Sequence, residues 1–441
     1  MFLREFVPVL SLALVIILIS LRSLRGIKFE IWQAMFIGSL IVILSRSISL
    51  QEALRAIDFD VILFLFSMFV IGSALEESGY LQKLSYGILS RVKSFSSLIL
   101  FFSLLMGFSS AILMNDTVAV IATPIAIYIS RICGVDEKFF LFLLAFSVTI
   151  GSVMSPIGNP QNFLISHYGN FGNEFLVFFI YLFAPTVVNL VITPFFLKAL
   201  YRIKDFKISF SEPEDFAWGK EGSKTEHAFE KSKKRLEVVS KLSMTLLIVL
   251  VVFRTFAIFL GLDIKFPIHY ITFVSALPVL LFGGRTLRVL KNVDWKTLVF
   301  FASMFILMKS VWGTRLFQKL IFQFDLTSHL YLFGAGILLS QLVSNVPLTM
   351  LILPLLSMDD VFSLLVLAVS STIAGNLTIL GAASNVIIIQ ASEKRKGAGI
   401  GFFEFVKFGF PITLLNSVLY YIFMKIFFCI TVVGYVKFGF A

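Results

Sequence analysis

Apolar runs of about 17–25 residues, the length of helix that crosses the hydrocarbon core of a bilayer, recur from one end of this chain to the other. That much apolar length is foreign to a soluble fold. Of 441 residues, 58% are apolar and 14% charged, whereas soluble domains carry about 25% charged residues. Backbone groups in lipid must find partners within the protein, which favours helices for runs of this length. The expectation is an all-α polytopic protein, multi-pass in the cell membrane. In a soluble chain a net charge of +11 would suggest nucleic acid. Here it reads as basic loops held on the cytoplasmic side, and no nucleic-acid partner is expected. The small-x-small triplet Ser11-Leu12-Ala13 falls inside the first run, so residues 6–21 read as a retained span rather than a signal peptide.

Two polar tips interrupt the apolar background. The stretch L-M-N-D-T-V-A-V-I-A-T-P at 113–124 sets Asn115, Asp116 and Thr117 between two apolar runs. The same layout returns as S-N-V-P-L-T-M-L-I-L-P at 344–354, with Ser344, Asn345 and Thr349. A carboxylate flanked by an amide and a hydroxyl is costly at membrane depth, and its default reading there is functional. Asn115 to Pro124 and Asn345 to Pro354 are each nine residues apart, and the two pairs share an offset of 230.

The rest of the chain repeats in the same order. The first half has spans near 6–22, 29–48 and 58–77, an amphipathic piece at 79–94, the Asn115 hairpin, an interrupted stretch at 138–167 and a span at 174–200. Residues 201–238, with nine Lys/Arg and eight Asp/Glu, form a polar divider. The second half follows with spans near 239–260, 266–283 and 294–313, an amphipathic piece, the Asn345 hairpin, an interrupted stretch at 361–392 and a last span at 402–430. Ser67-Met68-Phe69 recurs as Ser303-Met304-Phe305, Gln82-Lys83-Leu84 as Gln318-Lys319-Leu320, and Asp58 as Asp294, all at an offset of 236. Matches in the same order argue for an internal duplication. The division is therefore a first repeat at 1–200, a cytoplasmic loop at 201–238 and a second repeat at 239–441.

Each half crosses five times if its hairpin re-enters, or seven if both limbs cross. Both counts are odd, so the second half is inverted relative to the first, an arrangement found in many secondary transporters. With the polar loop in the cytoplasm and re-entrant hairpins, Lys and Arg divide 27 to 10 in favour of the cytoplasmic side, or 16 to 10 without that loop. Both termini then lie outside.

Each hairpin is followed by a broken helix. Ser155-Pro156-Ile157-Gly158-Asn159-Pro160 loses donors at two prolines, and its glycine admits unusual backbone angles. Its counterpart runs from Gly375-Asn376-Leu377-Thr378 to Gly381-Ala382-Ala383-Ser384-Asn385, and Asn162 matches Asn385 at an offset of 223. A break at membrane depth is tolerated only inside protein or beside a water-filled cavity. Exposed helix N-termini there attract anions, and unwound carbonyls coordinate a cation such as sodium. A lone kink whose asparagines tie down neighbouring backbone would be structural. Two breaks, each after a polar tip, point to a site. The candidate substrate- and ion-binding residues are Asn115, Asp116, Thr117, Gly158, Asn159, Asn162, Ser344, Asn345, Thr349, Asn376, Thr378, Gly381, Ser384 and Asn385. Within this set Asp116 is the residue expected to couple proton or sodium binding to transport.

Other polar residues read as ordinary. Glu76 and Glu77 close a span and read as interfacial, while Asp325, Asp359 and Asp360 read as solvated. Cys133 and Cys429 lie far apart and are not expected to pair. His167, His227, His269 and His329 lack ligand spacing, so no metal and no cofactor is expected beyond Na+ or H+ as coupling ion. No nucleophile motif, P-loop or H-E-x-x-H pattern occurs, and an enzyme is not expected.

The segments M-N-D-T-V-A-V-I-A-T-P, S-P-I-G-N-P-Q-N, S-N-V-P-L-T and G-A-A-S-N-V-I-I-I-Q resemble the ion transporter superfamily, and within it the arsenite-permease and citrate-permease-like branch. The superfamily also includes dicarboxylate transporters and one class of bacterial sodium/proton antiporters. The resemblance covers both halves. It implies two re-entrant hairpins and two broken helices forming a transport domain beside a scaffold domain, a homodimer, and elevator-type movement. Sodium-coupled dicarboxylate members read Ser-Asn-Thr at both tips, whereas the tips here read Met114-Asn115-Asp116 and Ser344-Asn345-Val346. The expected function is a secondary active transporter for a small inorganic or organic anion, coupled to a proton or sodium gradient. The alternative is a sodium/proton antiporter. Asp116 standing nearly alone as a carboxylate favours the anion.

Overall fold

The computed structural model describes residues 2–25, 30–89, 91–208, 226–262, 266–316 and 328–438. The first repeat comprises α1 (Phe2–Arg25), α2 (Ile31–Leu44), α3 (Leu50–Ala56), α4 (Phe59–Ser78) and α5 (Tyr80–Leu89). It continues with the hairpin α6 (Phe95–Leu113) and α7 (Asn115–Cys133), the broken helix α8 (Glu137–Ser152) and α9 (Pro160–Tyr168), and α10 (Glu174–Leu200). The second repeat comprises α11 (Glu226–Phe259), α12 (Ile268–Phe282), α13 (Thr286–Asn292) and α14 (Trp295–Gly313). Its hairpin is α15 (His329–Val343) and α16 (Asn345–Ile352), its broken helix α17 (Val361–Ile373) and α18 (Ala383–Lys394), and it ends in α19 (Phe402–Phe438). Among the described residues, seven helices are long and apolar enough to cross a membrane. The chain is an all-α polytopic membrane protein of two inverted repeats, each with a re-entrant hairpin and a broken helix.

Local chemistry places the helix ends. Asp58 caps α4 by accepting the Asp60 and Val61 amides at 3.0 and 3.2 Å. Its repeat mate Asp294 caps α14, accepting from the Thr297 amide at 3.1 Å and the Thr297 hydroxyl at 2.6 Å. Gly79 and Gly134, with φ of 69° and 62°, close α4 and α7 in the left-handed region. The helix α11 begins at Glu226 rather than near 239, so the end of the polar segment continues into a span. Residues 209–225, Gln318-Lys319-Leu320 and Asp325 lie outside the described residues.

The helices pack as two groups. One contains α1, α2, α4, α11, α12 and α14; the other contains both hairpins, both broken helices, α10 and α19. Small residues and polar bonds knit the second group, as expected where lipid offers no hydrophobic drive. A Cβ on Gly151 of α8 would collide with the Gly107 carbonyl of α6. Across repeats, the Asn416 amide donates to Asn189 Oδ1 at 2.7 Å, and the Thr186 and Tyr420 hydroxyls pair at 2.7 Å. In the first group, the cap of α14 at Asp294 meets the last turns of α4 at Ser73 and Glu76. Near the end of α4, Ser73 donates to the Val289 carbonyl at 3.0 Å, and Glu77 meets Arg285 at 2.9 Å. Phe410, Leu414, Val418, Ile422 and Ile426, four residues apart on α19, form an exposed stripe suited to lipid.

Candidate functional site

Both tips turn through the same backbone conformation. Met114 has φ 70° and ψ 143°, and Ser344, 230 positions later, has φ 75° and ψ 157°. Side chains other than glycine rarely occupy this region, at a cost of about 1–3 kcal/mol each, and such residues cluster at functional sites. The first tip is seated on the first break, because the Asn115 amide donates to the Gly158 carbonyl at 2.9 Å. A Cβ on Gly158 would collide with the Ser152 carbonyl, so glycine is what lets the break fold back this closely.

A single cavity of 260 Å³ touches both tips and both breaks. It is lined by Asn115 and Asp116, by Ser344, Asn345 and Val346, by Pro160 and Gln161, and by Ala382 and Ala383. These residues are the caps or first turns of α7, α16, α9 and α18. Four helix N-termini therefore face one space. The opposite wall comes from the other helix group and includes Glu30, Asp294, Lys296 and Phe301. Lys296 is engaged by Glu30 at 2.7 Å. Each N-terminus presents about +0.5 of an elementary charge, so four supply about +2, with Asp116 and Asp294 set against them.

Asp116 is not alone. It is buried, and a second cavity of 70 Å³ places it with Thr117, Ser73, Glu76 and Asp294. One Asp116 carboxylate oxygen has no hydrogen-bond partner among the described residues. This corrects the expectation of a solitary acid. The partners come from α4 and the cap of α14, far away in sequence. Glu76 borders this 70 Å³ cavity instead of an interface, and Glu77 is bound by Arg285 and Arg288. Thr117 faces α4, where a Cβ on Gly72 would fall 2.6 Å from its methyl group.

The remaining candidates hold the breaks. The Asn162 amide reaches the carbonyls of Ser152, Val153 and Ser155 at 3.1, 3.2 and 3.1 Å. Asn385 repeats this for the carbonyls of Gly375 and Thr378, at 2.7 and 3.1 Å. Asn159 caps α9 through the Asn162 amide and donates to Ser152 Oγ and Thr372 Oγ1. Asn376 donates to Asn416, Thr378 to Gln341, and Thr349 to the Asn345 carbonyl. Gly381 allows the second break to fold close, since a Cβ there would lie 2.8 Å from the Ala374 carbonyl. Ser384 is buried with its hydroxyl unpartnered among the described residues. Gln161, Thr372, Gln341, Asp294 and Glu30 are site or supporting residues that the sequence reading did not select. Asp294 carried a usable signal as the repeat mate of Asp58, and Gln161 lies within the S-P-I-G-N-P-Q-N segment.

Comparison with known proteins bears on this arrangement. The chain is 26% identical to a silicon efflux transporter of rice (Oryza sativa subsp. japonica), with 86% of this chain and 89% of the rice protein covered. It is 24% identical to a Dictyostelium discoideum protein that bears the name transporter arsB, over 86% and 84% of the two chains. The fold is similar to that of the Alcanivorax borkumensis YdaH transporter, at a TM-score of 0.54 and 14% identity, over 99% of each chain. These relatives are transporters, and the chain is a membrane transporter rather than an enzyme. The profile of the citrate transporter family CitMHS matches residues 12–358, and the chain belongs to that family.

Proposed function

We propose that this protein is a secondary active transporter that moves a small oxyanion through the tip cavity, with Asp116 holding the coupling proton or sodium ion. The observation that carries the reading is the convergence of four helix N-termini and one buried carboxylate on a single 260 Å³ space. The positive ends of the helices suit an oxyanion, while Asp116 and Asp294 oppose it. Neutralising Asp116 with a proton or sodium tips that balance, and the anion and the coupling ion then enter together. The family is named for citrate and the rice relative for silicon, which agrees with a small anion as substrate. The tip-bearing group would move as a transport domain against α1, α2, α4, α11, α12 and α14. The protein would work as a homodimer, with 201–238 in the cytoplasm.

The test is uptake into proteoliposomes of arsenite, sulfate, phosphate, citrate and succinate under imposed sodium and proton gradients. Asp116→Asn keeps the shape and removes the charge. It should abolish gradient-driven accumulation while the protein still folds and exchanges substrate. Transport by that variant with unchanged pH and sodium dependence would overturn the reading. The second reading, a sodium/proton antiporter, draws on Glu76 and Asp294 beside Asp116. Sodium-driven proton movement in liposomes lacking any transported anion would favour it.

A further inference from the structure

We propose that Asp60, His167 and His269 form a binding site for a divalent transition-metal ion of the zinc type, at the end of α4 remote from the tip cavity. One ligand atom from each residue lies within 4.8 Å of the other two. Asp60 stands in the first turn of α4, whose 20 residues rise about 30 Å. The cavity walls at Ser73 and Glu76 belong to the opposite end of the same helix. His167 comes from the last turn of α9 and His269 from the first turn of α12. The three ligands are 102 or more residues apart in sequence, which is why no ligand spacing is visible along the chain.

The chemistry of the cluster suits a metal. His269 is 4% exposed, and its Nδ1 has no partner among the described residues. Its Nε2 lies 3.6 Å from Asp60 Oδ1. An imidazole buried this fully with a ring nitrogen unpartnered is costly unless a ligand engages it. His167 Nε2 stands 3.3 Å from Asp58 Oδ2. Asp58 is itself fixed by the Asp60 and Val61 amides and by the Tyr168 hydroxyl at 2.6 Å. A carboxylate behind a histidine is the outer partner that orients metal-ligating imidazoles. The Phe163 ring, 5.6 Å away and tilted 17°, holds the His167 plane. Ligand atoms around a tetrahedral zinc ion lie about 3.3 Å apart, from bonds of about 2.0–2.1 Å. The Asp60 side chain is half exposed, and its Oδ1 already faces the His269 imidazole. An adjoining cavity lined by all three residues gives water access to the open coordination position. Because α9 belongs to one helix group and α4 and α12 to the other, a bound ion ties the two groups together. This assignment does not depend on the identity of the transported substrate.

Full-length protein, purified in detergent and stripped with chelator, is titrated with zinc chloride alone by calorimetry, and cobalt(II) is followed by its visible absorption. One zinc per chain and a zinc-dependent rise in melting temperature are expected. His167→Ala and His269→Ala should each weaken binding at least about 10-fold and remove the cobalt band, and Asp60→Asn should weaken it about 10-fold. His329→Ala, outside the cluster, should change nothing. If His269→Ala fails to fold, His167→Gln, at the less buried imidazole, provides the same test. Zinc binding by the His167/His269 double alanine variant equal to that of the unaltered protein, or no zinc binding by the unaltered protein, would overturn the site.

Discussion

Replacing Asn162 with Ala removes the side chain that holds the first break together. Asn162 has no exposed surface, and its two amide hydrogens serve three carbonyls, those of Ser152, Val153 and Ser155. Its Oδ1 also accepts from Thr372 Oγ1 at 3.3 Å. Two donors can make at most two full bonds. A buried acceptor left unpaired costs about 1–3 kcal/mol, so two losses give about 2–6 kcal/mol. A carbonyl that keeps one partner through its second lone pair brings the expected figure to about 3 kcal/mol. The damage extends to function, because the Gly158 carbonyl that seats Asn115 lies on the same break. The assay is unfolding of the purified protein in mixed micelles, read by circular dichroism and by substrate protection. Asn385→Ala, which frees two carbonyls rather than three, should lose somewhat less. A stability change under about 0.5 kcal/mol would refute the reasoning. So would lost substrate affinity at unchanged stability, which would make Asn162 a direct ligand.

Three further outcomes follow from the same geometry. Ser344→Gly removes the backbone strain at the second tip and should raise stability by about 1 kcal/mol while slowing transport; unfolding midpoints and uptake rates check both. Gly151→Val drives a side chain into the Gly107 carbonyl and should leave little folded protein by fluorescence-detected size exclusion. Burial of Asp58 works against its charge, but hydrogen bonds from His167 and Tyr168 outweigh it and lower its carboxyl from 3.8 to about 2. A value lowered on folding gives stability that is present above pH 3.8 and lost as pH falls toward 2. Asp58→Asn should therefore cost about 1 kcal/mol at neutral pH, allowing for screening by solvent, and flatten the acid limb of a stability–pH profile.

Local physics made much of this protein legible in its sequence. Hydrophobic length, prolines and capping residues are read within one helix turn, and α10 spans 174–200 as its apolar run predicts. The repeat order, the two tips and the two breaks were visible for the same reason. Each is marked by residues whose backbone preference or desolvation cost acts where they stand. What a side chain faces across a break is a different matter. Asn162 and Asn385 are as polar as Asn115 and Asn345, yet the first pair turns inward to its own carbonyls and the second lines the cavity. Asp294 and Glu76 join Asp116 only because α14 runs against the end of α4 and α7 packs beside it. Those neighbours are brought together by helix packing between segments about 40–180 residues apart. No local preference encodes such a meeting, so only the tertiary structure decided it.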